Sequence, residues 1–113
     1  MIEIIDKKID TNHLLKYLGQ PFPEMIKFVV DVNKEIIGVG GEFHADAEAK
    51  MLDQGSKQEH LWGGNVYIDK KGNRRIEFSA MINIRPSAGN RSMLVEDGQI
   101  QKSMKRVLEK LLP

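Results

Sequence analysis

Apolar residues at Ile100, Met104, Val107, Leu108 and Leu111 recur at i, i+4, i+7, i+8 and i+11, so all five fall on one side of an α-helix. Asp97 stands where a helix cap belongs, and Lys102, Lys105, Arg106 and Lys110 occupy the other faces and bring positive charge toward the C-terminal end of the macrodipole. The spacing predicts a helix over 97–112. Residues 1–5 are apolar except for Glu3 and end at Asp6-Lys7-Lys8, which reads as a short strand. Leu14, Leu15 and Leu18 follow a cap at Asp10 or Thr11 and predict about two helical turns, stopped by Gly19 and Pro21, with 20–24 as a connector.

Residues 25–43 fit two patterns. Ile26, Val29, Val30, Asn33 and Ile36 would line one side of a helix, but the segment is β-branched throughout and carries Gly38, Gly40 and Gly41. Each glycine would weaken a helix by roughly 1 kcal/mol relative to alanine, so a hairpin is preferred. With Asn33-Lys34 as a two-residue turn, Phe28 faces Val39 and Val30 faces Ile37 on an apolar face, while Lys27, Val29 and Asp31 lie on the other. Residues 45–54 read as a helix with Ala45, Ala49 and Leu52 inward, Asp46 capping and Gly55 ending it. Residues 61–85 form a second hairpin around Lys70-Lys71-Gly72-Asn73. Pairing Ile68 with Ile76 aligns Val66 with Phe78, Gly64 with Ala80 and Trp62 with Ile82 on an apolar face, and leaves Asn65, Tyr67, Glu77 and Ser79 on a polar one. Trp62 then anchors the core.

The order βαββαββα predicts an α+β domain: a mostly antiparallel sheet of two β-hairpins plus a short N-terminal strand, covered by helices on one face. Composition narrows this further. The 113 residues suit one globular domain spanning 1–113, with 41% hydrophobic and 29% charged residues. The lack of cysteine excludes disulfides, thiolate metal sites and thiol nucleophiles, and no structural metal or cofactor is expected. A net charge of +1 argues against a strongly electrostatic nucleic-acid or membrane binder. No targeting or membrane-spanning pattern is present, so a cytoplasmic location is the default expectation.

Two segments concentrate polar groups. In 40–48, His44 and Asp46 are two apart and Glu42 and Glu48 flank them, a spacing that suits a general base with its orienting carboxylate. The structural alternative makes Asp46 a helix cap and His44 a hydrogen-bonded strand end. In 83–92, Arg85 and Arg91 bracket a Pro/Gly loop with Asn83, Asn90 and Ser92, a set of forks, amides and backbone N–H groups suited to a phosphate or carboxylate. Its alternative pairs Arg85 with a carboxylate such as Glu77 and spends Asn90 and Ser92 on turn backbone. His13 and His60 carry no partner pattern and are expected to be exposed.

The runs Gly-Gly-Glu-Phe-His-Ala-Asp (40–46), Gly-Ser-Lys-Gln (55–58), Leu-Trp-Gly-Gly-Asn-Val-Tyr (61–67) and Ile-Asn-Ile-Arg-Pro-Ser-Ala-Gly-Asn-Arg-Ser (82–92) together resemble a family of small bacterial and archaeal proteins catalogued as a domain of unknown function. The resemblance spans nearly the whole chain and implies one domain, with no activity attached. Where that family carries proline after the tyrosine, Ile68 follows Tyr67 here. Three functions stay open. The first is a module binding a small anionic ligand, or a short stretch of RNA, through Glu42, Asn83, Arg85, Asn90, Arg91 and Ser92. The second is an enzyme adding, at the same pocket, His44 as general base and Asp46 or Glu42 as its orienter or a metal ligand, with the arginines as charge stabilisers. The third is an interaction or homodimer module with no ligand site.

Overall fold

The computed structural model describes residues 1–19 and 21–113; Gln20, in the connector, lies outside them. Five strands form one antiparallel sheet: β1 (Ile2–Ile5), β2 (Met25–Asp31), β3 (Ile36–Gly40), β4 (Leu61–Tyr67) and β5 (Ile76–Glu77), in the spatial order β1-β3-β2-β4-β5. Helices α1 (Thr11–Leu15), α2 (His44–Asp53) and α3 (Gly98–Leu111) complete the α+β fold. The helices cover both faces of the sheet rather than one. Ile26, Phe28 and Val30 of β2 join Leu14, Met104, Val107 and Leu108 in one core, whereas Val29 joins Ala47, Met51 and Leu61 in another. Alternation along β2 makes this necessary, because Ile26, Phe28 and Val30 point to one face and Val29 to the other, and both sets must be buried.

The β2–β3 register is the one the pattern predicts, with Phe28 opposite Val39 and Val30 opposite Ile37. The turn is longer than two residues. Asp31, fully buried, accepts from Asn33 N–H and Lys34 N–H through Oδ1 and from the Ser56 hydroxyl through Oδ2, and Glu35 adopts φ +56° to close the connection. The second hairpin departs more. Val66 pairs with Ile76 and Asn65 with Glu77, a shift of two residues from the expected register, which keeps every side chain on its predicted face. β5 then stops. After Glu77 the chain pairs with residues 93–95 instead, through Val95 N–H to Phe78 O and Ala80 N–H to Met93 O.

α2 also turns differently. His44, Ala47 and Met51 are buried, while the expected inward residues Ala45, Ala49 and Leu52 are exposed. Gly38 explains the close seat of this helix: a Cβ there would lie 3.0 Å from Met51 Sδ and 3.3 Å from Ala47 Cβ. From the same helix Lys50 Nζ donates to Ile2 O of the edge strand β1 (2.8 Å). α1 is shorter than expected, capped by Asp10 accepting from His13 N–H. The His13 ring, expected to lack a partner, bonds Glu3 at 2.7 Å, and the same carboxylate oxygen accepts from Tyr17. Among the described residues no helix is long and apolar enough to cross a membrane.

Candidate functional site

The segment 83–96 folds around two buried amides. Asn83 Oδ1 accepts from Gly63 N–H (2.8 Å) and its Nδ2 donates to Gly63 O (3.0 Å) and Met93 O (2.9 Å). Its side chain thus takes the place that a neighbouring strand's peptide would fill beside β4, which is why β5 need not continue. Gly63 permits this approach, since a Cβ there would stand 2.7 Å from Ala80 Cβ. Asn90 Nδ2 donates to the carbonyls of Asn83, Ser92 and Leu94, and its Oδ1 accepts from Glu96 N–H. Arg85 donates to the carbonyls of Ile82, Gln58 and Leu61, lies 4.5 Å above the Trp62 ring and sits 3.7 Å from Glu48. Trp62 itself is buried, as expected.

The loop does hold an anion, and the anion is its own. Glu96 Oε2 accepts from Arg91 N–H (2.9 Å), Ser92 N–H (2.8 Å) and the Ser92 hydroxyl (2.8 Å). Those bonds, the Ser92 hydroxyl first, hold the Glu96 carboxyl below its usual range.

His44 lies in different surroundings. As the first residue of α2 it is 7% exposed and packs toward Gly63, with Nε2 2.7 Å from Gly64 O. A carbonyl only accepts, so Nε2 carries the proton and donates, leaving the lone pair of the neutral ring on Nδ1. Burial pushes its pKa below the ordinary histidine value; the Gly64 carbonyl and the Asn65 side chain oppose this, as does Glu77, whereas Lys27 reinforces it. Asp46, two residues on, falls on the opposite, exposed side of the helix, where Oδ2 accepts from Phe43 N–H (3.3 Å), the reciprocal half of a capping box. It caps the helix from inside its first turn and makes no hydrogen bond to the imidazole.

Beside His44 opens a cleft of about 660 Å³. Its polar side is built by Lys27 on β2, Asn65 on β4 and Glu77 on β5, with Glu42 at the rim, and its apolar side by Phe22, Phe43, Met81 and Met93. Phe43 and Met81 are 62% and 73% exposed. Asn65 is 6% exposed, and its Nδ2 donates to Glu77 Oε1 at 2.7 Å. Because a carboxylate accepts only, this bond fixes the amide's orientation and turns Oδ1 away from Glu77. That oxygen is buried and has no hydrogen-bond partner. Glu77 also accepts from Tyr67 OH, and Lys27 Nζ lies 5.0 Å from the Phe22 ring centre, its pKa lowered by burial against the pull of Glu77.

Of the residues the sequence singles out, Glu42 and His44 thus meet at the cleft, Asn83, Asn90 and Arg85 build the loop beneath its wall, and Arg91 and Ser92 stay with Glu96 outside its lining. Lys27, Asn65 and Glu77 enter the site without having been singled out. Their signal was their shared polar face, since Lys27 faces Asn65 and Asn65 faces Glu77 across the ladder. Among the described residues no three His, Asp or Glu side chains gather as a metal-holding group.

Fold and cleft together define a small α+β protein with a polar-floored recess between sheet, helix and loop. By its sequence the chain belongs to the DUF5674 family of proteins of unknown function, whose model matches residues 3–111. No curated protein and no solved structure matches it.

Proposed function

We propose that the chain is a small-molecule-binding domain whose site is the cleft beside His44, and whose ligand joins an N–H or O–H donor to an apolar or aromatic body. One observation carries this reading: the buried Oδ1 of Asn65 lacks a partner at the cleft's polar wall. Leaving such an acceptor unpaired costs about 1–3 kcal/mol, an expense that a ligand donor would remove on binding. The volume is in the range of small-molecule sites, and the Phe and Met side chains supply adaptable apolar contact. A neighbouring cation, Lys27, suits a carboxylate or phosphate on the same ligand, so the anionic ligand expected from the sequence is reassigned to this cleft. We assign the protein to the cytoplasm within the same proposal.

A second reading, an enzyme with His44 as general base, is favoured by the Nε2–H bond to Gly64 O, which orients the ring and keeps the Nδ1 lone pair. The experiment is an NMR titration of 15N-labelled protein with a fragment library of heteroaromatic amines, amides and carboxylates. Binding fragments should move the amide signals of His44, Gly64 and Asn65, and Asn65→Leu should abolish those shifts while changing stability by less than about 1 kcal/mol, because an unpaired acceptor leaves with the amide. Equal binding by the variant, or shifts only elsewhere, overturns the proposal.

A further inference from the structure

A second surface, on the opposite face of the sheet from the His44 cleft, has a different character. Three adjoining depressions of about 510, 280 and 360 Å³ surround the turn between β4 and β5, and Gly72 borders all three. Lys105 is common to the first and second, and Arg75 to the second and third, so they adjoin as one trough that runs between this turn and α3 and continues past Arg75 toward α1 and Pro113. Its rim is basic. The turn lines it with Lys70, Lys71 and Arg75, and α3 with Lys102 and Lys105, against the carboxylate Glu109, while Arg74 is exposed in the same turn just outside the lining. A net charge of +1 for the whole chain therefore conceals strong segregation.

The cations differ in what they do. Arg75 donates to Pro113 O (2.6 Å) and Lys70 lies 4.4 Å from the Tyr67 ring centre. Lys71, Arg74, Lys102 and Lys105 are exposed and make no hydrogen bond or ion pair to any described residue. The trough floor includes half-buried Ile76 and Phe78, with Asn73 and Gln101 at its sides. A row of free cations along a groove matches a ligand with repeated negative charge, and an aromatic floor with amide walls matches planar, hydrogen-bonding groups attached to it.

We propose that this trough binds a short single-stranded nucleic acid, the phosphates along Lys71, Arg74, Lys102 and Lys105 and a base against Phe78. Four phosphate contacts predict a slope of about −3 for log affinity against log salt, at roughly 0.7 per contact on a single strand.

Fluorescence anisotropy with labelled 12-nucleotide oligouridylate and oligothymidylate tests this. Lys102→Glu with Lys105→Glu should weaken binding at least tenfold, and Lys71→Glu with Arg74→Glu should do the same. These positions are exposed, and thermal melting checks that the fold is kept. Lys34→Glu with Lys57→Glu, at the other end of the sheet, makes the same change of net charge and should alter affinity less than twofold. Equal weakening by groove and control pairs would reduce the effect to diffuse attraction and overturn the proposal. So would competition by inorganic tripolyphosphate as strong as that of the oligonucleotide at equal charge, which would leave the base without a role. Neither outcome bears on the Asn65 experiment, which probes the other face.

Discussion

The loop of residues 83–96 and the cleft at the start of α2 are both dense in polar side chains, and they use them in opposite ways. In the loop, Asn83 makes three side-chain hydrogen bonds and Asn90 four, and even the backbone donors of Arg91 and Ser92 are closed by Glu96. In the cleft, Asn65 satisfies its amide nitrogen and leaves its oxygen buried and unpaired. Residue type is the same in both places. The difference is whether the fold consumes the hydrogen-bonding capacity it buries, and what remains unspent is available to a ligand.

The largest expected effect breaks the loop. Asn90→Ala removes four hydrogen bonds around buried backbone groups, and should cost about 3–5 kcal/mol in urea unfolding. A loss under about 1 kcal/mol would mean that the loop's polar groups are not structural, and the contrast with the cleft would fail.

A smaller effect sharpens the cleft side and depends on pH. The His44 pKa is lowered from 6.5, so just below that value the unfolded chain takes up a proton that the folded chain refuses. Stability should fall as pH drops from 6.5 toward the depressed value, then level once both states are protonated. His44→Gln should remove this component. It is separate from losses at lower pH, where Glu3, held low chiefly by Tyr17 and then His13, and Glu96, held low by Ser92, become protonated. An unchanged profile in His44→Gln, measured by denaturation across pH 5–8, would show that the imidazole is not the group refusing the proton.

The smallest effect concerns Arg91. Its side chain is exposed and its contribution to the loop runs through its backbone N–H, so Arg91→Ala should shift stability by less than about 0.5 kcal/mol. It should leave fragment binding at the cleft intact. A larger loss would give the guanidinium a structural part that the hydrogen-bond pattern does not contain.

Periodicity was enough to read α3, because Met104, Val107, Leu108 and Leu111 pack where their spacing puts them, whereas the first hairpin needed its β-branched residues and glycines to decide against a helix before its register could be read. It failed at α2, where the inward face is His44, Ala47 and Met51 and so begins with a histidine. A polar ring counts against burial in any pattern, yet the Gly64 carbonyl makes that burial tolerable. The end of β5 was illegible for a related reason: an asparagine side chain substitutes for a strand, and hydropathy does not register that mimicry. The site was half visible. His44 and Glu42 stand in a compact motif, but Lys27, Asn65 and Glu77 come from three strands and converge only once the ladder is built. Residues 91–92 were expected to face a ligand's anion; the carboxylate their backbone donors hold is that of Glu96, which lay just beyond the segment considered.

The single hydrogen bond from Lys50 to the carbonyl of Ile2 bears on how these molecules behave in a crowd. The sequence Ile-Glu-Ile-Ile at the rim of the sheet is short, β-prone and without a neighbour on its outer side, which makes it a template on which a foreign strand can dock. An ammonium seated on one carbonyl places a charge in the path of an incoming backbone. Lys50 thus sets a charge and an occupied carbonyl at an edge that no further strand covers, the arrangement by which edge strands discourage pairing with another chain.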